Sequence, residues 1–117
     1  MFLYFFIINI LKVPTSSSTP RFLNDILDQF VKVKDQLSIT YNITGENLSI
    51  HWFRDDKEIT SNDKITLSED IKNNLFTISC NQIDDSFSGR ITCKANNTFG
   101  SNENSFNIFL IGILFFF

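Results

Sequence analysis

The chain has 117 residues, 43% of them hydrophobic and 20% charged, with a formal net charge of −3. That length suits one domain with a single ordinary core. Lys and Arg are scattered singly, so no basic face marks a nucleic acid or an anionic membrane as a partner.

Residues 2–11 (FLYFFIINIL) and 106–117 (FNIFLIGILFFF) are almost wholly apolar and hold eight of the 14 phenylalanines. Both are shorter than the roughly 20 residues a membrane-spanning helix needs. The first has the length of a signal-peptide apolar core and leads into a polar linker, Thr15–Pro20. It lacks a basic start and a small-x-small cleavage site. A second reading covers both ends: Phe, Ile, Leu and Asn are what AT-rich non-coding DNA tends to encode, which would make the ends read-through around a fragment of a longer protein. Both readings stand. The chain therefore divides into an apolar segment plus linker (1–19), a folded domain (20–111) and an apolar overhang (112–117).

Helix-like spacing occurs once, where Phe22, Leu23, Ile26, Leu27 and Phe30 recur at intervals of three and four, predicting a weak amphipathic helix. Period-2 alternation then takes over. Leu37, Ile39, Tyr41 and Ile43 point one way, with Ser38, Thr40, Asn42 and Thr44 opposite; Ser49–Phe53 is a short strand centred on Trp52. Ile65 and Leu67, then Phe76, Ile78 and Cys80, then Ile91, Cys93 and Ala95, then Phe106, Ile108 and Leu110 continue the series. Turn-formers separate these runs at Gly45–Asn47, Asp55–Lys57, Ser61–Asp63, Asp70–Asn74, Asp84–Gly89 and Asn96–Asn102. Short strands with one polar face, spaced by polar turns, predict an all-β fold of two antiparallel sheets packed face to face.

These residues resemble an immunoglobulin I-set domain, the kind strung in arrays in titin- and twitchin-like muscle proteins, over about Pro20–Ile111. Pro20-Arg21-Phe22-Leu23 is similar to the family's first strand. The run Trp52-Phe53-Arg54-Asp55-Asp56-Lys57-Glu58-Ile59 resembles its third strand and the turn after it, with Trp52 as the core tryptophan. Cys93-x-Ala95-x-Asn97-x-x-Gly100 matches the signature of its last two strands, and Gly89 fits the glycine ahead of them. The resemblance implies an immunoglobulin-like β-sandwich with Trp52, Cys93, Tyr41, Leu37, Ile39, Ile78, Cys80 and Ile91 in its core. Four positions depart from the pattern. Tyr41 stands where the first bridging cysteine belongs, and Ile91 replaces the tyrosine two residues before the second. Phe87 replaces an aspartate, and Cys80 fills a core position usually held by an aliphatic residue.

With Tyr41 in that place the usual inter-sheet disulfide cannot form, and no disulfide is expected; Cys80 and Cys93 read as buried free thiols. Loss of the bond is tolerated in a reducing compartment, which favours a cytoplasmic, sarcomere-like location over the secreted or cell-surface alternative. The sequons at Asn42, Asn47 and Asn96 are no more than chance gives in a chain so rich in Asn, Ser and Thr, and they decide nothing.

Chemistry has little footing. His51, the sole histidine, adjoins Trp52 and so faces solvent from the opposite side of its strand. No Ser or Thr sits in a nucleophile motif. Asp55, Asp56, Glu58, Asp84 and Asp85 are carboxylates that could hold calcium, but in such turns they are ordinarily solvated. Neither a metal, a cofactor, a small-molecule substrate nor an enzyme activity is expected. The expected role is a structural and protein-binding module with neighbouring immunoglobulin-like domains as partners; the alternative is an adhesion or receptor domain.

Overall fold

The computed structural model describes residues 19–112; the first apolar run, and residues 113–117 of the second, lie outside the described residues. Nine strands follow in chain order: β1 (Arg21–Phe22), β2 (Gln29–Val31), β3 (Leu37–Thr44), β4 (Ser49–Arg54), β5 (Lys57–Ile59), β6 (Ile65–Asp70), β7 (Leu75–Cys80), β8 (Gly89–Asn97) and β9 (Gly100–Leu110). Single 3-10 turns at Ile71–Asn73 and Asp85–Phe87 lead into β7 and β8. Two sheets form, one in the order β1-β3-β7-β6 and the other in the order β2-β9-β8-β4-β5. All pairings are antiparallel except β2 on β9. The fold is an all-β immunoglobulin-like sandwich.

Alternation decides which side chains meet between the sheets. Ile39, Tyr41 and Ile43 of β3 and Phe76, Ile78 and Cys80 of β7 face Trp52 of β4, Ile91, Cys93 and Ala95 of β8, and Phe106 and Ile108 of β9, all buried. Register places Ile39 beside Ile78, Tyr41 beside Phe76 and Trp52 beside Cys93. Leu37, at the start of β3, is half-buried against the rim of this cluster. On the outer face of the first sheet the polar half of the pattern pairs across strands, Ser38 with Ser79 at 3.2 Å and Thr40 with Thr77 at 2.8 Å.

The β4–β5 hairpin turns on Asp55 and Asp56, both left-handed at φ 48° and 70°, the two-residue geometry that matches strand twist. Its first residue also fixes the start of β8. Asp55 Oδ1 accepts from the Arg90 amide at 3.0 Å, and Gly89 lies under the same carboxylate with φ 117°. A Cβ at Gly89 would fall 2.7 Å from Asp55 Oδ2, so glycine is required there for both space and backbone.

Two expectations are corrected. No helix forms over Phe22–Phe30; the stretch is β1, a crossing loop and β2, because the chain leaves one sheet for the other within it. Phe22 and Ile26 are half-buried while Leu23, Leu27 and Phe30 are exposed, so the three-four spacing does not mark one apolar face. The loop's polar side chains hold it in place: Asn24 bridges the Thr40 carbonyl and the Asn42 amide, and Asp28 accepts from the Asn107 amide at 2.8 Å. The expected turn at Asn96–Asn102 shrinks to Thr98–Phe99, since the β8–β9 ladder runs up to Asn97 opposite Gly100. Asn97 Oδ1 accepting from the Phe99 amide and Gly100 at φ 149° make so short a reversal feasible.

Trp52, 2% exposed at the centre of β4, makes the core testable. Trp52→Ala is expected to lower unfolding free energy by about 3–5 kcal/mol, the usual cost of deleting a buried large aromatic. Chemical denaturation of the variant beside the parent measures it, and a midpoint close to the parent's would contradict this packing.

Candidate functional site

Trp52, Tyr41 and Cys93 are three members of one buried group. Tyr41 is fully buried, its ring edge-on to Phe22 (centroids 5.1 Å apart) and tilted against Trp52 (5.7 Å) and Phe106 (6.3 Å). Its hydroxyl donates to Asn104 Oδ1 at 2.7 Å, and Asn104 Nδ2 donates to Asp25 Oδ1 at 2.8 Å. Burial, with Cys93 and Asp25 close by, raises the phenol's pKa far above its ordinary value, so it stays a neutral donor. Cys93 is fully buried and its thiol is pushed up to about 12, chiefly by burial. Cys80 is buried too, and neither cysteine is bridged. Ile91, Ile39 and Ile78 close around this group, all buried. These residues make a core, with no group placed to receive a proton from a substrate.

Most of the surface candidates take part in the structure around them. His51 is exposed on β4, its Nδ1 2.8 Å from Glu58 Oε2 on β5 and its Nε2 3.2 Å from Ser49 Oγ. Asp55 anchors the start of β8, as described. Asp84 caps the 3-10 turn through the Ser86 amide and meets Lys64 Nζ at 2.6 Å; the Lys64 bond, then the Ser86 bonds, hold its carboxyl down at about 2. The Asp85 carbonyl accepts from Ser88 Oγ and from Arg54, whose Nε also donates to the Ser88 carbonyl. Among the described residues no three His, Cys, Asp or Glu side chains come together as a metal cluster. Phe87, which stands in place of an aspartate, is buried and ends the same 3-10 turn. An open groove of about 460 Å³ at one end of the first sheet is lined by Gln36, Ser38, Lys64, Thr66 and Ser79, hydroxyls and an already paired ammonium without a base beside them.

What remains is exposed surface. On the outer face of the second sheet Lys94 Nζ lies 5.9 Å over the Phe53 ring. At that sheet's edge Phe30 of β2 and Phe109 of β9 stack with centroids 5.2 Å apart and planes 24° from parallel, 66% and 46% exposed. This exposed pair escaped the sequence reading because Phe30 was assigned to a helix and Phe109 falls between the inward residues of β9.

Comparison with known proteins places this geometry. The model of the immunoglobulin I-set domain matches residues 20–110. Over 94 residues the chain is 26% identical to the muscle M-line assembly protein unc-89 of Caenorhabditis elegans, a match that takes in 80% of this chain and 1% of that protein. The chain thus spans a very small part of the curated relative's length. Titin domain M7 superposes with a TM-score of 0.75 at 30% identity, over 82% of this chain and 97% of that one. One chain of the complex between titin M10 and an obscurin-like 1 immunoglobulin domain gives the same fold at 14% identity with a TM-score of 0.75, over 81% of this chain and 96% of that one.

Two outcomes follow from the buried group. Tyr41→Phe keeps the rings together and removes only the bond to Asn104, so it is expected to cost about 1–2 kcal/mol in denaturant melts, as buried hydrogen bonds do. For Cys93 the unfolded thiol ionises near its ordinary 9.0 while the folded one holds its proton up to about 12. The stability this represents is complete below pH 9 and is lost as pH rises through about 12. Native protein is expected to resist alkylation at pH 8, and denatured protein to take up two labels per chain; a labelled native Cys93 by mass spectrometry would refute its burial.

Proposed function

The chain belongs to the immunoglobulin I-set family, and from that premise we propose that it is a non-enzymatic module of a multi-domain muscle filament protein, bearing tension and docking other proteins in the cytoplasm. One observation carries the reading: the similarity to the muscle M-line assembly protein runs through 80% of the chain. Titin M7, at 30% identity, supports the same direction. The two unbridged thiols agree with it physically, since a sandwich held by Tyr41 packing rather than by a disulfide loses nothing in a reducing compartment. The partners proposed are proteins, neighbouring immunoglobulin-like domains first among them, as titin M10 is found with an obscurin-like 1 immunoglobulin domain. Residues 20–111 are proposed as the independently folding unit, because every described strand lies within them.

Antibodies against the native protein on muscle fibres of the source animal are expected to stain periodic sarcomeric stripes. Staining confined to the cell surface would replace this reading with the adhesion alternative. A polypeptide of residues 20–111 is expected to show dispersed amide resonances and a melting temperature unchanged by reductant. Disorder in that polypeptide would move the domain boundaries outward.

A further inference from the structure

We propose that Ser49 is a covalent modification site, a hydroxyl on the outer face of the second sheet that takes an acyl group from activated esters. Ser49 and His51 are two residues apart on β4, so both leave the same side of the strand. Glu58 of β5 stands opposite Phe53, on that side too and diagonal to His51. The three side chains meet in a line: Ser49 Oγ lies 3.2 Å from His51 Nε2, and His51 Nδ1 lies 2.8 Å from Glu58 Oε2. An ionised carboxylate only accepts. The proton of a neutral imidazole therefore sits on Nδ1, and Nε2 is left bare to accept from the serine hydroxyl. Nucleophile, base and the group that orients the base stand in the order that acyl transfer requires. No local motif marks them, because the third member comes from the neighbouring strand.

The step balances within these groups. As Ser49 Oγ bonds to the acyl carbon, its proton passes to His51 Nε2 and the carbonyl π pair moves onto oxygen. When that oxyanion collapses, the bond to the leaving group breaks, and the departing anion takes the proton back from Nε2. Asn96 stands directly opposite Ser49 across the β4–β8 ladder, exposed on the same face. Opposed Cβ atoms lie about 5 Å apart, which brings an amide N–H donor within reach of the oxyanion. The face is open, with the His51 and Glu58 side chains 45% and 49% exposed. Water weakens every charge there, so the site takes only acyl groups on a good leaving group, as in aryl esters and thioesters. Peptides and alkyl esters are too stable for it. The reactive serine adds to the module proposed above and leaves that reading as it stands.

The full chain, incubated with p-nitrophenyl acetate at pH 8 and mapped by mass spectrometry, tests it. The parent is expected to carry an acetyl ester on Ser49, removed by alkaline hydroxylamine, which spares the amide that Lys94 opposite His51 would form. Ser49→Ala is expected to lose that ester. His51→Gln is expected to form it about a hundredfold more slowly, the lower end of what a general base contributes. Its melting temperature is expected to match the parent's, and added imidazole to restore part of the rate. Glu58 is a positioning residue: Glu58→Leu is expected to slow the ester, and Glu58→Gln, whose amide oxygen still accepts from Nδ1, to recover most of the loss. Acetylation confined to lysines and the amino terminus overturns the proposal. So does a Ser49 ester that forms in His51→Gln at the parent's rate, which would make it ordinary surface chemistry.

Discussion

The space between the sheets beside Cys93 is filled by the Tyr41 ring, and much of the molecule is arranged around that choice. A covalent bridge at this place would act chiefly by restricting the unfolded chain. An aromatic ring acts on the folded state, through burial and ring contacts with Phe22, Trp52 and Phe106. It also brings a hydroxyl into the core, and a buried hydroxyl without a partner is costly. Asn104 meets that need and is in turn held by Asp25. The relay ends in the loop that carries the chain from one sheet to the other, so the packing of the core and the path of the first ten described residues are fixed together.

How far this was legible in the sequence depends on the range of the interaction. Strands β3, β4, β7 and β8 announce themselves by alternation because each has one face in the core and one in water. Trp52, Cys93 and Ile78 could be placed inward on that ground, and the glycine that opens β8 by its spacing. The crossing loop could not, since a chain that changes sheets has no single periodicity, and its apolar residues mimic a helical stripe. Tyr41 was visible as a departure, but its partner Asn104 lies 63 residues away, and nothing local marks that asparagine. The Asn96–Asn102 stretch misled for the opposite reason. Turn composition is only a correlate of turn geometry, and two central residues suffice once Gly100 supplies the positive φ.

Polar residues on this domain work mainly for the fold. Asp55 ties a hairpin turn to the start of β8, Asp84 caps a 3-10 turn and pairs with Lys64, and Asp28 anchors the crossing loop to β9. Carboxylates occupied in this way are poor starting points for catalysis, which needs a group free to change protonation state during a reaction. What the domain offers a neighbour is therefore edges and faces rather than a cleft. That suits a repeated module, whose contacts are made along its outside.

The pairing of β2 with β9 joins residues at opposite ends of the domain: Gln29 meets Ile108. On a ribosome, residues up to Leu37 emerge long before the strand that is to cover them exists. Until Leu110 is free, β2 has two open edges and Phe30 lies beside nothing. Closing so long a loop is slow compared with forming the β4–β5 hairpin or the β6–β7 pair. In a chain of tandem domains, a β2 still waiting for its own β9 is exposed to the β9 of any neighbour whose own sheet has not yet closed. Each domain's dependence on its last strand thus creates an interval in which strands can be exchanged between neighbours, and dissimilar sequences in adjacent domains shorten the list of partners that fit.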